Sequence, residues 1–223
     1  MNMTDATALS YLDGYCERAG DPGIWGEPLN AATNLCFLVA ALAAAYAIGK
    51  LNRPGRAVID LWLLVAALAA IAIGSGLWHI APRHDTVLMD VIPITIFINI
   101  YLIAALRRFF RLAWWKIAAL WAAYTAIGVA AQILLPPDTL NGTIMYVPTY
   151  LTLLVLTGAI RRVDAESGRA FIPIVLIWTA SLVFRTIDMQ ICAIFPYGTH
   201  FLWHTLNAIV LYRLLIVLAA KAK

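Results

Sequence analysis

Residues 57–80 read AVIDLWLLVAALAAIAIGSGLWHI. Asp60 stands near the start and Ser75 and His79 near the end, and the rest is apolar or small. About 20 such residues, wound as a helix, cross the hydrocarbon core of a bilayer. The run lacks the alternation of a barrel strand, and a helix satisfies its own backbone in lipid, so the stretch predicts a membrane-spanning helix.

Six further runs of this kind lie on either side, at roughly 29–49, 88–106, 113–135, 143–160, 170–191 and 200–220. The breaks carry turn formers and charge: KLNRPGR, APRHD, RRFFR, PPDTLNG, RRVDAESGR and FPYGT. The 223-residue chain is 63% hydrophobic and 13% charged, with mean hydropathy +0.83. A soluble domain is nearer about a quarter charged, and could not hide this much apolar side chain. The expectation is an all-α, seven-transmembrane helix bundle. Residues 1–28 form an acidic N-terminal segment, 29–220 the membrane domain and 221–223 a tail. Residues 1–28 hold five acids and no apolar h-region, so no cleaved signal is expected.

Lys and Arg set the expected orientation. Twelve of the 16 basic residues fall on one side: Lys50, Arg53 and Arg56, Arg107, Arg108, Arg111 and Lys116, Arg161, Arg162 and Arg169, Lys221 and Lys223. That side is read as cytoplasmic, with the N-terminus outside and the C-terminus inside. Arg213 lies near enough the inner end of the last span to snorkel. The formal charge of +4 is therefore a topological signal, and no basic-aromatic stripe for nucleic acid is present.

Tracing depth along the spans puts Ser75 and His79 near the outer end of the second. Asp90 falls in the first turn of the third, and His200 and His204 in the first two turns of the seventh. Five polar residues from three helices thus reach one depth. His200 and His204, spaced i, i+4, share a helical face, and His79 can supply a third imidazole. Three protein ligands with one open position is the pattern of catalytic zinc. Ser75 lies one turn before His79, and Asp90 brings a carboxylate. A lone H-x-x-x-H is a weak signal, His84 reads as a solvated loop residue, and Asp90 could merely favour a helix start. Ionisable groups inside a membrane are costly and usually functional, which favours the set as a site. Haem ligation by His79 and His200 leaves His204 without a purpose, and there is no C-x-x-C-H. A receptor or transporter with a zinc tie stays open, although matched broken helices are not evident.

Residues 11–34 read YLDGYCERAGDPGIWGEPLNAATN. Asp13, Glu17, Asp21 and Glu27 could offer hard oxygen ligands to calcium, but an acidic segment before a first span is more often simply solvated. Asn30 and Asn34 could cap the first span or reach the polar cluster. Cys36 reads as a packed small hydrophobe. Cys16 and Cys192 both fall on the outer side, where they could be joined.

Three stretches together, YCERAGDPGIWGEPLNAATN (15–34), GSGLWH (74–79) followed by Asp90, and Asp188, Cys192 and GTHFLWH (198–204), resemble the alkaline ceramidase family. The likeness extends to the wider seven-helix metal-hydrolase superfamily that includes the adiponectin and progestin receptors. It covers nearly the whole chain and is nearer the bacterial-type members. It implies zinc held by His79, His200 and His204, with Ser75 and Asp90 as catalytic partners. It also implies calcium near Asp13, Glu17 and Glu27, and a disulfide between Cys16 and Cys192. The family's start reads Asp-Trp-Cys-Glu-x-Asn. Here Gly14 and Tyr15 precede Cys16, Asp13 is displaced by one, and Ala19 stands where Asn is expected, with Asp21 as a candidate substitute. Asp188 reads as a structural acid pairing with Arg185. The implied function is zinc-dependent hydrolysis of ceramide-like N-acyl lipids, within sphingolipid metabolism. The implied location is a bacterial inner membrane, with the site toward the periplasm and a membrane lipid as substrate.

Overall fold

The computed structural model describes residues 14–51, 53–136 and 138–222; Asp13 lies outside them. Among the described residues the regular structure is helical: α1 (Pro28–Thr33), α2 (Leu35–Gly49), α3 (Ile59–Ile80), α4 (His84–Phe110), α5 (Trp114–Leu134), α6 (Val147–Val163), α7 (Ala165–Ile187) and α8 (His200–Ala219). Short 3-10 turns precede α3 and α6 and follow α7. Asn34 keeps right-handed helical angles, so α1 and α2 act as one span. Among the described residues, seven helical segments are therefore long and apolar enough to cross a membrane, as expected of an integral membrane protein. The third is longer than expected: it starts at His84, where Thr86 Oγ1 accepts the Arg83 N–H.

The spans pack in chain order around a ring, which closes where α8 meets α2. Leu61, Leu64, Leu68 and Ile71 line the buried face of α3, against Phe97 and Tyr101 of α4. Phe171 and Ile174 of α7 and Leu214, Leu215 and Leu218 of α8 complete the core. Cys36 is free and packs against this core. Large apolar side chains such as Val39, Leu42, Ile133, Val155 and Leu176 face outward, an arrangement suited to lipid rather than water. Of the seven spans α5 is the least buried; Ile117 is its only buried residue.

Two close approaches set the frame. Pro93 has no N–H to offer the carbonyl of Met89, four residues earlier in α4. Gly74 of α3 lies against that carbonyl, and a Cβ there would collide with it. In α7, Gly168 sits on the backbone of Arg161 in the same way.

Ion pairs clamp the end of the bundle opposite the histidines. Arg108 donates to both oxygens of Asp60, at 2.5 and 2.7 Å, and to the Ala57 carbonyl. Lys221 pairs with Asp164 at 2.5 Å.

Candidate metal centre

Asp188 begins the construction. Its carboxylate accepts the backbone N–H groups of Thr199 (2.6 Å), His200 (2.9 Å) and Cys16 (3.1 Å). It thereby caps α8, whose first N–H groups have no partners within the helix. The expected pairing with Arg185 is replaced by these three bonds, because a buried carboxylate at a helix N-terminus gains more from convergent N–H donors and the dipole. Gly198 makes room for it with φ 61°; a Cβ there would meet Asp188 and Cys16. Cys16 and Cys192 form a disulfide, with their Cα atoms 5.4 Å apart.

On this footing α8 presents His200 and His204, and the last turn of α3 presents His79. The three rings converge, with centroids 4.7–5.3 Å apart. Each residue is at most 2% exposed. One ligand atom from each lies within 4.8 Å of the others. Nε2 of His79 and Nε2 of His204 are 3.2 Å apart.

The far nitrogens decide the tautomers. Nδ1 of His79 lies 2.5 Å from Glu27 Oε2, so Nδ1 carries the proton and donates. Nδ1 of His204 lies 3.0 Å from Thr33 Oγ1, whose own proton goes to the carbonyl of Leu29 or Asn30. The two Nε2 atoms face each other, and in neutral rings that donate through Nδ1 both would offer lone pairs to a shared cation. Two lone pairs at this separation repel unless a cation lies between them. Outer hydrogen bonds that fix tautomer and ring direction are typical of histidines that hold a metal. The three imidazoles could thus hold a divalent metal ion.

In its described part, residues 14–28, the N-terminal segment lays Tyr15 over these rings and buries Cys16, Arg18 and Glu27, which corrects its reading as solvated at these positions, while residues 21–25 are exposed. Tyr15 covers the site, its ring 4.2 Å from His200 and 4.9 Å from His79, and its hydroxyl accepts from Trp78. Burial pushes its phenol up to about 12. Glu27 is 1% exposed. Burial alone would raise its carboxyl, but bonds from His79, Arg18 and Asn30 outweigh that and hold it below its ordinary value. Glu17 accepts the N–H groups of Leu29 and Asn30 at 2.7 and 2.8 Å, capping α1. Burial still leaves it above the usual carboxylate range. Asn34 bonds the Asn30 carbonyl, and Asn30 itself reaches Glu27.

Ser75 and Asp90 are side-chain neighbours beside the trio, and both line a cavity of about 840 Å³ that also reaches His200 and His204. Among the described residues, Asp90 Oδ1 and His200 Nδ1 find no hydrogen-bond partner. The cavity runs from this polar end to apolar walls such as Phe97, Leu102 and Leu156 and out to Tyr124 of α5. Arg185 also lines it, lying over the rings of Tyr146 and Trp203, with Nε unpartnered among the described residues. His84 is exposed at the start of α4, away from the cluster.

Four contributors escaped the sequence reading: Tyr15, Arg18, Thr33 and Arg185. Arg185 had a signal, a cation within an apolar span. Thr33 had none, because a hydroxyl before a span is ordinary. No family model matches the chain, and no curated protein matches it.

Proposed function

We propose that this is a zinc-dependent intramembrane amide hydrolase, acting on ceramide-like N-acyl lipids to release a fatty acid and a long-chain amine. The observation that carries the reading is the convergence of three buried imidazoles beside Ser75 and Asp90, at the polar end of a long apolar cavity. A metal ion bound there supplies Lewis acidity and lowers the pKa of water toward neutrality.

The chain does the rest. The walls of the cavity hold the acyl chain, so that the scissile amide meets the polar end. Asp90 accepts the proton of the attacking water at Oδ1 and passes it to the leaving nitrogen. Water is thereby split between the acyl carbon and the amine. Ser75 donates a hydrogen bond to the carbonyl oxygen as it gains charge. Arg185, a cation lining the same cavity, can pair with the carboxylate product. Tyr15 and the disulfide-tied segment keep bulk water off the trio.

The distribution of Lys and Arg supports placing the histidines toward the extracytoplasmic side, in a bacterial inner membrane, with the C-terminus inside. A fluorescent ceramide incubated with purified protein should be hydrolysed, with about one zinc per chain by elemental analysis. His200→Ala should lose both zinc and turnover, and Asp90→Asn should keep zinc and lose about 10²–10⁴-fold in rate. Zinc without turnover on any N-acyl lipid would turn the assignment to a receptor or transport protein.

A further inference from the structure

The acidic N-terminal segment is the part of this molecule whose carboxylates suggested a calcium ion, and its centre is taken by a side chain. Arg18 is 1% exposed. Nε donates to Glu27 Oε1 at 2.5 Å, Nη1 to the carbonyls of Asp21 (2.8 Å) and Gly23 (3.0 Å), and Nη2 to the carbonyl of His79 (2.7 Å). One carboxylate, two loop carbonyls and one helix-end carbonyl therefore face a single guanidinium. Such all-oxygen sets are what calcium prefers.

Among the described residues, most of the other carboxylate oxygens of the segment are engaged. Both oxygens of Glu17 cap α1, Glu27 Oε2 serves His79 and Asn30, and Asp21 Oδ1 accepts the Gly23 N–H. The loop is shaped around the guanidinium. Ala19 and Gly20 take left-handed angles, φ 46° and 81°, and a Cβ on Gly26 would lie 2.8 Å from Nη1. This set does not fit a divalent ion while Arg18 is in place.

We infer that Arg18 is the built-in cation of this segment: it neutralises Glu27, caps the C-terminal end of α3 at the His79 carbonyl, and so positions the His79 ring without any bound calcium. A fixed charge of this kind makes assembly of the site independent of extracytoplasmic calcium. Through Glu27 and the His79 carbonyl, Arg18 acts on His79 from both the side chain and the backbone, as a positioning residue. Only this last link rests on the proposed zinc site.

The test uses the full-length protein in detergent. Its thermal midpoint should be the same in millimolar calcium chloride and in EGTA. Arg18→Ala should lower the midpoint by several degrees, and calcium chloride or methylguanidinium should restore part of the loss, because either can enter the vacated oxygen set. Zinc retention against a chelator should fall about tenfold in Arg18→Ala, as for loss of an outer-shell partner, and Arg18→Lys should recover part of it. A calcium-dependent midpoint in the unaltered protein overturns the inference. So does an Arg18→Ala protein whose midpoint and zinc retention are unchanged, or whose loss neither cation relieves. If Arg18→Ala does not fold, the calcium response of the unaltered protein and the intermediate behaviour of Arg18→Lys decide. Were there no zinc in any variant, the zinc assignment would fall while the midpoint measurements still judged Arg18.

Discussion

Glu27 is the residue on which the site turns. One oxygen holds the proton of His79 and the other holds Arg18. Replacing it with Gln keeps the shape and removes the charge. Glu27→Gln should weaken zinc retention about 10–100-fold, the usual cost of an outer-shell partner, read as the chelator concentration that strips the metal. An unchanged value would deny Glu27 this role. Ser75→Ala, by contrast, should leave zinc in place and slow hydrolysis about 10²–10³-fold. The trio itself was legible in the sequence, because i, i+4 spacing and span depth both point inward. Its anchors were not. Glu27 bonds His79 across 52 positions and Thr33 meets His204 across 171, and no periodicity marks a hydrogen bond between such distant segments. Asp188 was misread for the same reason. Its proximity to Arg185 suggested a pair, whereas the start of α8 offered better donors.

At the scale of elements, the contact of α3 with α4 places Ser75 beside Asp90. Pro93 frees the Met89 carbonyl and Gly74 approaches it, so one substitution can open the seam. Gly74→Ala should push α3 from α4, lower the thermal midpoint and depress turnover, without removing any catalytic group. Small residues at crossings are the usual means of close helix packing in lipid. An unaltered midpoint would show that the seam can relax. The spans were legible as apolar runs, and their ends drifted by a few residues, since a short run of polar turns can be wound into the helix, as at His84. The seam was not legible, because a glycine and a proline in different runs do not reveal that they meet.

For the molecule as a whole, two ties join distant parts of the chain. The disulfide closes a separation of 176 residues, and bonds of this kind typically contribute about 2–4 kcal/mol. Cys192→Ser should lower the thermal midpoint and loosen the cover over the histidines, read as faster loss of zinc. At the other end, Lys221 holds the Asp164 carboxyl well below the usual range, helped by Ser167. A depressed folded value contributes stability that is present above the unfolded value and lost as pH falls through the folded one. Asp164→Asn should therefore cost stability at neutral pH and less and less in strong acid, checked by melting curves across pH. The pair is exposed enough that the effect should be small.

The ring also has a direction in time. Two of the three imidazoles ride on the final helix, and the first cysteine must wait for a partner near the end of the chain. During synthesis the ribosome delivers six spans before any grip on a metal is complete. On the proposed function, a polypeptide without α8 would be inert toward lipid, and competence would arrive only when α8 docks against α2.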